Sequence, residues 1–114
     1  MIRIYHNPRC STSRKALETL QATGHSVDVV EYLHALPPRA ELRALIQAAG
    51  LTVRDAMRPK EPLYETLGLA DAGLSDDQLL DAIEQHPVLL NRPFVVTDKG
   101  TRLCRPFEKI QEIL

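Results

Sequence analysis

Residues 2–33 narrow the possible folds more than any other part of the chain. "IRIY" (2–5) alternates Ile2 and Ile4 with Arg3 and Tyr5, the period-two pattern of a short strand. From Ser11 the period lengthens. Ala16, Leu17 and Leu20 share one helical face, and Gly24 stands where such a helix would stop. "VDVVEYL" (27–33) is β-branched and reads as a second strand. Strand, helix and strand joined by short links form a βαβ unit. Its two strands are therefore expected to be parallel, with a right-handed crossover.

The period stays helical through the middle of the chain. Pro37 and Pro38 break it, after which Leu42, Leu45, Ile46 and Ala49 share a face that Gly50 ends. "VRDAMRP" and "EPLYETLGL" read as short helices interrupted by Pro59 and Pro62. "SDDQLLDAIEQ" (75–85) opens with Ser75 and Gln78 at capping-box spacing and buries Leu79, Leu80 and Ile83. Residues 38–90 thus read as wholly helical. Strand periodicity returns in "FVVT" (94–97) and "TRLC" (101–104), with "DKG" as the hairpin turn between them. "PFEKIQEIL" reads as a closing helix with Phe107, Ile110 and Ile113 or Leu114 inward. The order βαβ, helices, ββα predicts an α/β, thioredoxin-like fold with a four-stranded mixed sheet. In this reading 1–114 is a single domain, with its core in 1–37 and 91–114 and a helical insert in 38–90.

Composition sets limits on function. A net charge of -1 gives no overall basic field for nucleic acid or an anionic membrane, so any electropositive site must be local. No apolar run approaches the roughly 20 residues of a membrane span, and "MIRIYHNPRC" does not read as a signal peptide. The two cysteines, Cys10 and Cys104, read as free thiols of a reducing cytoplasmic compartment.

Cys10 falls in "YHNPRCSTSRK", between the first strand and the first helix. Unpaired N–H groups and the helix dipole converge at a helix N-terminus, and both favour a thiolate. A free thiol titrates near about 8.5, whereas helix N-termini and nearby cations lower that to roughly 3.5–7.5. His6 and Arg9 are candidate cations, and Ser11, Thr12 and Ser13 candidate donors. The same geometry suits a tetrahedral oxyanion. Three alternatives fall away. C-x-x-C would need a cysteine where Ser13 stands. A phosphatase-type C-x5-R loop would need arginine where Ala16 stands. Cys10 and His6 are too few to hold a metal. A single-cysteine mechanism remains, with an outside thiol as resolving partner. Cys104, within a strand pattern, reads as inert packing.

Arg-Pro recurs at Arg58-Pro59, Arg92-Pro93 and Arg105-Pro106. Proline places each arginine at an element's end or in a loop. Three guanidiniums converging on Cys10 would clamp an oxyanion through planar, charge-assisted bonds. Arg92-Pro93 immediately precedes the third strand, where a thioredoxin-like fold sets a cis proline opposite the active cysteine, so a cis bond is expected there. Arg39, Arg43 and Arg54 read as surface residues.

These stretches, with "VRDAMRP", "LYETLGLA", "QHPVLLNRPFVVT" and "GTRLCRPFE", resemble the glutathione- and glutaredoxin-coupled ArsC-type arsenate reductases over nearly the whole chain. Two positions depart from the familiar pattern, Ser11 where glycine is usual and Arg9 where a small residue is common. The resemblance implies that Cys10 is the nucleophile and that Arg58, Arg92 and Arg105 hold the oxyanion. It implies supporting roles for His6, Ser13 and Arg14, beside Ser11, Thr12 and Pro93. It also implies arsenate as substrate, glutathione as co-substrate, glutaredoxin as partner and no bound cofactor or metal. A monomer without nucleic-acid or membrane partners is expected. Two other functions suit the same chain. One is a glutathione-linked thiol oxidoreductase without arsenate activity. The other is an Spx-like regulator that binds RNA polymerase, a class that typically carries the C-x-x-C absent here.

Overall fold

The computed structural model describes all 114 residues. β1 (Ile2–Tyr5) lies inside a four-stranded sheet of order β2-β1-β3-β4, where β2 is Val27–Val30, β3 Phe94–Thr97 and β4 Gly100–Leu103. β1 and β2 are parallel, with Ile4 opposite Val29. β3 runs antiparallel to both β1 and β4, with Ile4 opposite Val95 and Val95 opposite Arg102. The expected βαβ unit is therefore present, closed by α1 (Ser11–Gln21), and the fold is the α/β, thioredoxin-like one.

Alternation along the strands divides the core between the two faces of the sheet. Ile2, Ile4 and Val95 pack with Ala16 and Leu20 of α1 and with Ile110 and Ile113. Tyr5 and Phe94 face the opposite way, into a larger cluster built from α2 (Arg39–Ala48), α3 (Pro62–Thr66) and α4 (Asp76–Gln85). The α2 end has a cause in sequence. Gly50 takes φ 75, which lets its N–H reach Gln47 O and the Leu51 N–H reach Ile46 O, the paired bonds of a Schellman cap. No helix is long and apolar enough to cross a membrane.

Several boundaries differ from the sequence reading, each for a local reason. β2 ends at Val30 because Glu31 O accepts the N–H groups of His34 and Ala35 and turns the chain, carrying Tyr32 into the core. Residues 38–90 are not wholly helical. Met57 and Leu90 form an antiparallel bridge, and 54–56 and 87–89 are single 3-10 turns. The hairpin turns on Asp98 and Lys99, so Gly100 begins β4 and Cys104 lies just past its end. The closing segment, Phe107–Ile113, is a 3-10 helix. Spacing by three, at 107, 110 and 113, lines up residues on a three-per-turn helix. Ile110 and Ile113 are accordingly buried, while Phe107 is half-buried beneath the Lys15 ammonium, 4.4 Å from its ring centre.

Arg54 corrects a second expectation. It is not a free surface residue: it donates to Tyr64 Oη at 2.9 Å, Leu69 O at 2.6 Å and Asp71 O at 2.8 Å, tying down α3 and the chain that follows it. Arg39 pairs with Asp81 and Glu84, and Arg43 with Asp77 at 2.6 Å, across the α2–α4 seam. Such largely solvated pairs add little to stability, because water and salt screen them.

Candidate active site

Cys10 owes its position to a turn and a helix start. Its N–H donates to Asn7 O at 3.0 Å, and Asn7 Oδ1 accepts the Arg9 N–H at 2.9 Å, so the Asn side chain holds the turn from within. Cys10 is then the N-cap of α1, with φ -94 and ψ 121, and its carbonyl accepts the Arg14 N–H at 3.0 Å. Arg14 also donates from Nη1 to Pro8 O at 2.8 Å, which fastens the turn from outside.

Beneath the turn lies a buried polar triad. Ser13, fully enclosed, accepts the Asn7 N–H at 3.1 Å, and its Oγ lies 2.7 Å from His6 Nδ1. The Ser13 Oγ–His6 Nδ1 hydrogen bond thus ties the start of α1 to the residue that follows β1. Burial, aided by the Arg14 charge and opposed by Glu31, lowers the His6 pKa and keeps the ring neutral. His6 therefore supports the loop and does not supply the positive charge expected of it. Arg9 is exposed, and the groups that do most to lower the thiol are Ser13, Arg92 and Arg105. Ser11 is exposed and Thr12 half-buried, and the donor reaching the thiolate is the Ser13 backbone N–H rather than any of the three hydroxyls.

The arginines close over the sulfur. Arg105 Nη1 lies 3.9 Å from Cys10 Sγ and 3.2 Å from Arg92 O. The positive charge of Arg92 also favours the thiolate, and the charge of Arg58 is felt there. Arg58 is held at the rim by its N–H to Leu89 O at 2.8 Å. Its pKa is lowered by burial and by repulsion from Arg92 and Arg105. The cysteine is more enclosed than a loop thiol would suggest, at 7% exposed. Burial alone would raise its pKa. The Ser13 N–H, Arg92 and Arg105 outweigh that and bring it down to about 7. All three Arg-Pro arginines thus meet at one thiolate, beside the buried Pro93. The Arg92–Pro93 bond is cis as expected, and so is Arg105–Pro106, for which the sequence carried no separate signal.

Cys104 has a different environment. It is fully buried among Ile2, Val95 and Ile110, its N–H donates to Pro93 O at 2.8 Å, and burial pushes its thiol up to about 12. Both cysteines are free.

The ArsC family profile matches residues 5–113. The chain belongs to the ArsC family. An arsenate reductase of Rhizobium meliloti (strain 1021) is 55% identical over 113 residues, covering 99% of this chain and 81% of that one. An arsenate reductase of Escherichia coli (strain K12) is 50% identical, covering 99% and 80%. The solved arsenate reductase from Vibrio cholerae superposes with a TM-score of 0.93 at 46% identity, covering 99% of this chain and 97% of that one.

Two residues of this ArsC site escaped the sequence reading. Asn7 is 6% exposed and organises the turn. An Asn-Pro dipeptide at 7–8 is a turn signal that could have singled it out. Tyr32 is fully buried, and its phenol feels the charges of Arg92, Cys10 and Arg58. Nothing in "VEYLH" separates it from ordinary core.

Proposed function

We propose that this ArsC protein reduces arsenate to arsenite through Cys10, with glutathione and a glutaredoxin as the electron-donating thiols. The observation that carries this reading is a thiolate near neutral pKa under two arginines, with a third at the rim. Such a site binds an oxyanion and presents a nucleophile to it in one place. The named relatives supply the choice of arsenate over other oxyanions.

The steps are those that the resemblance to arsenate reductases implies, and the residues suit them. An arsenate enters among the guanidiniums, whose planar forks match its oxygens. The Cys10 thiolate attacks arsenic, a sulfur–arsenic bond forms, and one arsenate oxygen leaves as water after protonation. The thiolate of glutathione then bonds to the Cys10 sulfur. The sulfur–arsenic bond breaks with its electron pair staying on arsenic, which falls from the pentavalent to the trivalent state and leaves as arsenite. A glutaredoxin thiolate attacks the resulting Cys10–glutathione disulfide and restores Cys10. Fixed arginines stabilise the negative charge at each stage. Cys104, sealed in the core with its thiol pKa raised by burial, is poorly suited to resolve Cys10, which supports a partner from outside.

The test is arsenate-dependent NADPH oxidation coupled through glutathione, glutaredoxin and glutathione reductase. Turnover that needs arsenate, both thiol donors and Cys10 is expected. Oxidation that proceeds equally without arsenate would favour a general thiol oxidoreductase instead.

A further inference from the structure

The buried side-chain polar atoms without a hydrogen-bond partner are two, the Tyr32 hydroxyl and the Arg92 Nε. Both belong to the surroundings of Cys10. Tyr32 follows β2 by two residues, and the His6 N–H donates to Val30 O at 2.7 Å, so the tyrosine is stitched beside the cysteine loop. It belongs to the same buried cluster as Met57, Leu90 and Phe94, which lie within two residues of Arg58 or Arg92 in sequence. Burial raises the phenol's pKa, Asn7 and the Arg92 and Arg58 charges pull it down, and Cys10 adds to the rise. The Asn7 side chain lies close enough to pull the phenol's pKa down, but no hydrogen bond of ordinary length and angle joins it to the hydroxyl.

The two orphans are chemically complementary. An arginine Nε–H only donates, and a phenolic oxygen accepts. Buried polar groups are nearly always paired, so two lone ones in one site point to a second state in which they are satisfied. Arg105 fixes the Arg92 backbone through Arg92 O, but no hydrogen bond fixes the plane of the Arg92 guanidinium itself.

We propose that Tyr32 is a positioning residue of the oxyanion clamp: its hydroxyl accepts the Arg92 Nε–H when an oxyanion draws the guanidinium into place, leaving both Nη groups for the anion. The inference rests on the oxyanion-binding reading of the site. The hydroxyl is sealed from solvent, so Tyr32 acts through Arg92 and does not touch the substrate.

A double-mutant cycle tests this with inorganic phosphate and arsenate as probes, each measured by its protection of Cys10 from iodoacetamide. Tyr32→Phe should weaken protection about 3–10-fold, the effect of one net hydrogen bond. It should raise the KM for arsenate more than it lowers kcat, and leave the anion-free melting temperature unchanged or higher. In an Arg92→Lys background, which has no Nε–H, Tyr32→Phe should have no further effect. Equal protection in wild type and Tyr32→Phe overturns the inference. So does the same fold-loss in both backgrounds, or a lower anion-free melting temperature. Protection that Tyr32→Phe leaves intact sinks only this inference. A wild-type protein protected by neither anion sinks the oxyanion reading as well.

Discussion

Two thiols in one small chain are driven in opposite directions by their neighbours, one to about 7 and the other to about 12. Native protein at neutral pH should therefore lose one thiol per chain to iodoacetamide, and both after denaturation. The native rate should rise with pH through a midpoint near 7, because only the thiolate reacts. Arg92→Lys keeps a charge but loses the fork, so oxyanion binding should weaken while Cys10 stays reactive. The linkage runs the same way. Cys10 is depressed when folded, so its thiolate stabilises the fold at alkaline pH, and this contribution is lost as pH falls through about 7. Cys10→Ser should abolish arsenate reduction with little change in melting temperature, the hydroxyl being a poor nucleophile of nearly the same size. Cys104→Ser should keep activity per folded molecule and cost about 1–3 kcal/mol in urea denaturation, the penalty of burying a poorly paired hydroxyl. Loss of turnover in Cys104→Ser as complete as in Cys10→Ser would show an internal relay.

Elements with a strong period or a named cap were legible in the sequence, and those fixed by distant contacts were not. α4 begins where Ser75 and Gln78 placed it, with both capping-box bonds made, at 3.1 and 2.8 Å. Ser75→Ala should cost about 0.5–2 kcal/mol in denaturant midpoint without altering kcat. A loss of activity at full folding would contradict the placement of α4 away from the chemistry. The 3-10 form of 107–113 was concealed because a run of inward residues every three positions also fits a short α-helical stripe. The site was readable where chemistry is local: a cysteine at a strand-to-helix junction and arginines pinned by prolines. Its polar floor was not. The neutrality of His6, the roles of Asn7 and Tyr32 and the use of Ser13's backbone N–H depend on burial that only the packed fold creates.

The molecule as a whole places mutually repelling guanidiniums at the edge where β1 meets α1. Arg58 carries that repulsion on top of the cost of its burial. An oxyanion relieves it, so phosphate or arsenate should stabilise the entire fold. At 100 times Kd the gain is about 2.7 kcal/mol, or roughly 10 °C in melting temperature for a chain of this size. Arg58→Ala should shrink that rise, and an equal rise in wild type and variant would remove Arg58 from the clamp. The central claim, that Cys10 alone carries the chemistry and an outside thiol resolves it, is tested most directly by intact-protein mass spectrometry. The protein is incubated with arsenate and glutathione, with glutaredoxin left out. One glutathione per chain, on Cys10 and dependent on arsenate, is the predicted result. A Cys10–Cys104 disulfide, or an adduct that forms equally without arsenate, would contradict it.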